Sequence, residues 1–293
     1  MRHGNEPISA GKMPSRKSVT VYVTIPRLNR PCPETGWRAS LDFTPDTNRG
    51  NPDDLDEIDS LFFDNDDEIA ETQPRSKPPP IVAMISPKGG TGKTSVAVML
   101  AGYLTTRRRQ VGLMDLDPRH GVEKWSRAGD GLPFPIYTFE SNRGAAAFRN
   151  AIRQATHEVD LLIVDTPPSM GPAIRLALQV ADLVLVPAGA SALDLEAACE
   201  AIDAAKNARH GRDNDLPRIR VVPSRQDGRT RLAKDFGHRF KSLKIPVTPA
   251  VGQRVEVAAA ANSGRLVRPS TIAGKEFRRL SRHVWSVLRR LEA

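Results

Sequence analysis

Residues Ser86-Pro87-Lys88-Gly89-Gly90-Thr91-Gly92-Lys93-Thr94-Ser95 bring glycines, two lysines and a closing pair of hydroxyls into one short stretch. That is the chemistry of a phosphate cradle. Glycines let backbone N–H groups turn inward, and a helix starting at the end of the loop adds partial positive charge. In such a loop Lys93 reaches the β- and γ-phosphates of a nucleotide and the Thr94 hydroxyl binds Mg²⁺. The usual pattern has glycine at position 87; here it is Pro87, and a second lysine, Lys88, stands immediately before Gly89-Gly90. Two other segments end an apolar run on a carboxylate: Gly112-Leu113-Met114-Asp115-Leu116-Asp117-Pro118 and Leu161-Leu162-Ile163-Val164-Asp165-Thr166-Pro167-Pro168. An Asp in that position can hold the water shell of Mg²⁺ beside the loop threonine. One such Asp alone could equally cap the next helix. A glycine-rich loop and two carboxylates, each at a strand end, together point to phosphoryl chemistry.

The loop joins an apolar run, Ile81–Ile85, to a helix-like run beginning at Lys93. From there strand and helix patterns alternate. The apolar runs predict strands over Ile81–Ile85, Val111–Asp115, Pro135–Phe139, Leu161–Val164, Leu183–Val186 and Ile219–Val222. Helices are predicted over Lys93–Arg107, Val122–Ala128, Gly144–Gln154, Pro172–Val180, Asp194–Arg209, Thr230–Lys241 and Thr271–Leu291. Short, continuously apolar strands imply burial on both faces. The expected fold is therefore α/β: a doubly wound, mostly parallel sheet with helices on both faces, of the P-loop NTPase kind. Ligands in that design bind beyond the C-terminal ends of the strands.

Residues 81–293 form the expected folded domain, and residues 1–80 read as a largely disordered, acidic and proline-rich extension. The extension carries a strand-like alternation over Ser18–Ile25, an acidic tract over 53–68 that includes Leu61-Phe62-Phe63, and a stiff Pro78-Pro79-Pro80 linker. No run approaches the roughly 18 apolar residues of a membrane span, and the N-terminus has no secretory pattern. Two cysteines, Cys32 and Cys199, are too few for a disulfide framework or a zinc site and fit a reducing cytoplasm. They also exclude an electron-transfer ATPase, which needs cysteines to hold an iron–sulfur cluster. The net charge of +9 is uneven: residues 1–80 hold 10 basic and 14 acidic side chains, whereas residues 205–293 hold 21 and 7. Such a field favours polyanions.

The loop and the two carboxylate segments together resemble the ParA/MinD family of deviant-Walker ATPases, over about residues 80–290. Lys88–Thr94 matches the family's Lys-Gly-Gly-x-Gly-Lys-Thr loop. Asp115–Pro118 matches its first switch, with Arg119 where the family has Gln, and Asp165–Pro168 matches its second. The segments Asp227–Thr230, Gly252–Val255 and Gly264–Val267 also look like ParA-type segments. The resemblance implies a slow, partner-stimulated ATPase using ATP and Mg²⁺. It implies that Lys88 reaches across a nucleotide-sandwich homodimer and that Lys93 holds phosphates in its own subunit. Thr94, Asp117 and Asp165 would serve the metal, with Asp117 also positioning the attacking water and Asp115 in support. Gly89, Gly90, Thr91, Gly92 and Ser95 complete the nucleotide cradle.

Two functional classes share that engine. A ParA-type protein would bind double-stranded DNA without sequence preference, with Arg229 and Arg254 as the contacting arginines and Arg225, Arg231, Lys234, Arg265 and Arg268 as neighbours. It would partition plasmid, chromosomal or protein cargo with a ParB-like or other small adaptor, on the nucleoid in a bacterial cytoplasm. A MinD-type protein would instead bind membrane through a C-terminal amphipathic helix. Phe277, Leu280, Val284, Leu288 and Leu291 recur at helical spacing among arginines. A stripe that follows the folded domain without a linker is expected to pack on the core, so DNA is favoured over membrane. Pro223-Ser224-Arg225 is the expected source of adenine selectivity.

Overall fold

The computed structural model describes residues 77–212 and 214–292. The extension expected over residues 1–80, with its strand-like run and acidic tract, lies outside the described residues except for its last four. Seven strands form one sheet in the order β3-β2-β4-β1-β5-β6-β7. The strands are β1 Ile81–Met84, β2 Val111–Asp115, β3 Ile136–Thr138, β4 Leu161–Asp165, β5 Leu183–Ala188, β6 Arg218–Gln226 and β7 Val251–Gly252. All neighbouring pairs are parallel. β1 through β5 are buried along nearly their whole length, as uniformly apolar strands between two helical layers must be.

The helices are α1 Lys93–Leu104, α2 Gly121–Arg127, α3 Gly144–Glu158, α4 Pro172–Val180, α5 Ala192–His210, α6 Arg231–Lys241, α7 Val255–Asn262 and α8 Ile272–Glu292. Local signals start several of them. Pro172 opens α4, where its missing N–H costs nothing. Ser191 and Asp194 form a reciprocal capping box on α5. Thr230 caps α6 by accepting from the Ala233 N–H at 3.2 Å. α1, α2, α7 and α8 pack on one face of the sheet with Val82, Met84, Leu113 and Leu185. α3, α4, α5 and α6 pack on the other with Ala83, Ile85, Val164 and Val186. α1 is buried around most of its circumference because the sheet lies on one side and α8 on the other.

The apolar stripe of α8 belongs to that core. Phe277, Leu280, Val284 and Leu288 are all buried, Leu291 packs against the same cluster, and the Phe277 ring lies 6.4 Å from that of Tyr103 on α1. A stripe already covered by protein has no face left for lipid. Among the described residues no helix is long and apolar enough to cross a membrane.

β1 at the centre is flanked by β4 and β5, and the chain crosses β1 between them. Asp115 at the end of β2 is level with Asp165 at the end of β4, and Asp165 with Met84 at the end of β1. Three adjacent strands therefore deliver the loop and both carboxylates to one edge of the sheet.

Candidate functional site

The loop between β1 and α1 is built for an anion. Gly90 and Gly92 have φ of 75° and 89°, a left-handed conformation that side chains rarely tolerate. A Cβ on Gly92 would stand 2.7 Å from Ser224 Oγ, so the position is closed on space as well. Gly92 provides α1 with no side-chain cap, and the first turn carries no acidic residue. The leading N–H groups of α1 are therefore left for a ligand. Lys93 is buried and donates from Nζ to the Lys88 carbonyl at 3.1 Å. Burial lowers its pKa, against the pull of Asp165 and Asp117. A phosphate beside it would restore the charged form.

Thr94 Oγ1 donates to Asp165 Oδ2 at 2.7 Å. Asp165 is fully buried, and its other oxygen, Oδ1, has no partner. Burial, reinforced by Asp115, pushes its carboxyl up to about 7. A hydroxyl, a buried carboxylate and an orphaned carboxylate oxygen at the mouth of a phosphate loop suit a hard cation. Mg²⁺ takes one or two protein oxygens and fills its octahedron with phosphate and water, and the Thr94–Asp165 pair offers oxygens of that kind.

Asp115 builds the loop after β2 rather than facing a ligand. Its Oδ1 accepts from the Asp117 N–H at 2.9 Å and its Oδ2 from the Val122 N–H at 3.1 Å. Burial pushes it up to about 6. Asp117 is clasped by Arg119. Nε donates to Oδ1 at 3.1 Å and Oδ2 at 3.2 Å, Nη2 to Oδ2 at 2.7 Å, and the Arg119 backbone N–H to Oδ1 at 3.0 Å. Burial opposes ionisation of Asp117, but these donors outweigh it and hold the carboxyl below its ordinary value. His120, next in line, has φ of 51° and a buried Nδ1 without a partner. This loop carries local strain of the kind that accumulates in switching segments.

Lys88 extends to Asp194, with Nζ 2.5 Å from Oδ1. Asp194 also accepts from Ser191 Oγ at 2.6 Å. Arg225, read from sequence as a neighbour of the DNA-contacting arginines and as part of the segment expected to select adenine, lies over the loop. Its Nη1 donates to the Gly90 carbonyl at 2.5 Å. Arg229 pairs with Asp227 at 2.7 Å on the surface, and Arg254 with Glu276 at 2.5 Å. Glu276 also accepts from the Gly252 N–H at 2.8 Å. Asp227, drawn down to about 2 by Arg229, is also within the field of Arg254. The segment Gly264–Val267 is structural: the Trp125 indole N–H donates to the Arg265 carbonyl at 3.0 Å and the Tyr103 hydroxyl to the Val267 carbonyl at 2.8 Å.

Residues 82–267 match the family described as the CobQ/CobB/MinD/ParA nucleotide binding domain. The chain belongs to this family. Its relatives include the chromosome-partitioning ATPase Soj of Thermus thermophilus, 28% identical over 242 residues, covering 69% of this chain and 94% of Soj. The maintenance of carboxysome distribution protein A of Halothiobacillus neapolitanus is 30% identical over 179 residues, covering 59% of this chain and 79% of that protein. Among solved structures of this fold, a plasmid partition protein of Borrelia burgdorferi bound to AMPPNP aligns with a TM-score of 0.59 at 16% identity, over 71% of this chain and 99% of that one. MinD of Pyrococcus horikoshii with Mg-ADP aligns with a TM-score of 0.58 at 16% identity, over 72% and 98%.

Proposed function

We propose that this chain is a slow ATPase that dimerises on Mg-ATP and partitions a DNA or protein cargo with a stimulating adaptor. The observation that carries the reading is the meeting of three parts at one sheet edge: an uncapped α1 N-terminus with Lys93, the Thr94–Asp165 pair with its orphaned oxygen, and, level with Asp165, Asp115, which holds Asp117 two residues on. Thr94 and Asp165 would hold Mg²⁺, with Asp117 beside them; when bound, the cation neutralises charge on the terminal phosphates. Lys93 and the α1 N–H groups hold the phosphates in place. Asp117 orients the attacking water. Lys88 leaves Asp194 and reaches the phosphates of the second subunit, so the triphosphate stabilises the dimer and hydrolysis releases it.

The basic C-terminal third supports non-specific binding to nucleoid DNA in a bacterial cytoplasm. Arg229 and Arg254 each exchange an internal carboxylate for a DNA phosphate. The buried stripe of α8 weighs against the membrane-bound alternative. The test is sedimentation of Asp117→Ala with Mg-ATP and with Mg-ADP. A dimer in ATP alone, which then binds DNA but not anionic vesicles, is the expected result. A monomer in both nucleotides refutes the proposal.

A further inference from the structure

The motif departure at position 119 sits on the residue proposed to orient water. Three donors of Arg119 meet the Asp117 carboxylate: Nε and Nη2 reach both oxygens and the backbone N–H adds a contact to Oδ1. Three donor hydrogens take most of the roughly four acceptor sites of that carboxylate and leave little for a water. Release of the guanidinium would return Oδ2, and part of Oδ1, to a water. The two partners are unequal in freedom, because the Arg119 side chain is 68% exposed and that of Asp117 only 9%. The arginine is the half that can move.

The segment that carries Arg119 borders the loop: the Leu116 N–H donates to the Asp165 carbonyl at 2.9 Å, and a Cβ on Gly121 would stand 3.4 Å from Thr94 Cγ2. The Arg119 charge also bears on Lys93. A planar fork that fits a carboxylate fits a phosphate equally well. A terminal phosphate carries more charge than one carboxylate and competes for the same donors. Beside Arg119, His120 holds a left-handed backbone and a buried, unpartnered Nδ1, both of which cost energy to keep.

We propose that Arg119 is the triphosphate sensor of this site: Asp117 holds its guanidinium in the free chain, and the terminal phosphate of a bound nucleoside triphosphate takes it over, freeing Asp117. This rests on the ATPase reading above and adds a residue that distinguishes triphosphate from diphosphate. With a diphosphate there is no terminal group to claim the guanidinium, and the Asp117 clasp stays shut.

The test measures affinities of a fluorescent non-hydrolysable ATP analogue and of fluorescent ADP for the full chain, Arg119→Gln and Arg119→Lys, each with Mg²⁺ and with EDTA. Arg119→Gln should weaken the triphosphate on the order of tenfold and leave ADP nearly unchanged, as loss of a charge-assisted contact requires. Arg119→Lys, which keeps the charge but loses the fork, should fall between. Equal losses for both nucleotides, or no loss for either, overturn the sensor while the ATPase reading stands. Failure of the unaltered chain to bind either nucleotide removes both.

Discussion

Replacing Leu280 by alanine separates a core helix from a membrane helix. Leu280 has no exposed surface and packs in the layer shared by α1, α8 and the sheet. The substitution removes three carbons, worth about 2.4 kcal/mol at about 0.8 kcal/mol per buried group. Incomplete closure of the cavity raises the loss to about 3 kcal/mol. For a domain of this size that lowers the melting temperature by roughly 6–12 °C, at about 2–4 °C per kcal/mol. Thermal and urea unfolding of Leu280→Ala against Arg279→Ala, an exposed neighbour on the same helix, give the comparison. The arginine variant should stay within about 0.5 kcal/mol of the unaltered chain. A Leu280→Ala variant as stable as its parent, but unable to bind anionic vesicles that the parent binds, would refute the assignment of α8 to the core.

Asp165 makes the nucleotide-free chain less stable at neutral than at acid pH. Its folded-state carboxyl sits near about 7 against an ordinary 3.8, so the folded form holds a proton that the unfolded form has already released. Stability from this group falls as pH rises from about 4 to about 7 and stays low above that. Asp165→Asn should flatten that dependence and raise stability at pH 8 by about 1–3 kcal/mol, below the roughly 4 kcal/mol ceiling set by the shift, while losing the protection that Mg-ADP gives the parent; calorimetry at pH 5 and 8 measures both. Gly92→Ala places a Cβ against Ser224 Oγ at a φ of 89° and should cost about 1–3 kcal/mol, with nucleotide binding lost by titration calorimetry. Arg254→Ala strips the partner from Glu276. It should destabilise by about 1 kcal/mol or less, weaken binding to all DNA sequences equally and lower the salt slope by about one; sequence-selective loss would contradict a phosphate contact.

β2, β4 and their carboxylates were legible because continuous apolar runs ending in Asp say both where a strand lies and where its ligand end is, whereas β6 runs on to Gln226, four residues past the apolar run Ile219–Val222. α5 and α6 were legible within two residues at each end, and the structure shows that Ser191, Asp194 and Thr230 cap their starts. β7 was not foreseen, since two residues show no alternation. α7 was missed for a different reason: Val255–Asn262 is rich in alanine, a strong helix former, but has no apolar stripe to reveal a period. The pairings within the site were hidden by distance along the chain. Lys88 and Asp194 are 106 residues apart, and Arg225 and Gly90 are 135 apart. The clasp on Asp117 joins residues only two apart, yet spacing alone cannot tell a guanidinium folded back on its neighbour from one facing solvent.

The level register of Asp115, Asp165 and Met84 sets where the segments carrying Lys88, Lys93 and Asp117 leave the sheet. Strand spacing of about 4.8 Å fixes the gaps between those exits. Loops at the opposite edge of the sheet can vary in sequence without changing those gaps. An inserted or deleted residue inside β2 or β4 is different, because it would rotate the terminal carboxylate from the ligand edge into a helical layer. Heritable variation in this protein should accordingly be tolerated at the far edge and purged, for length, within these strands.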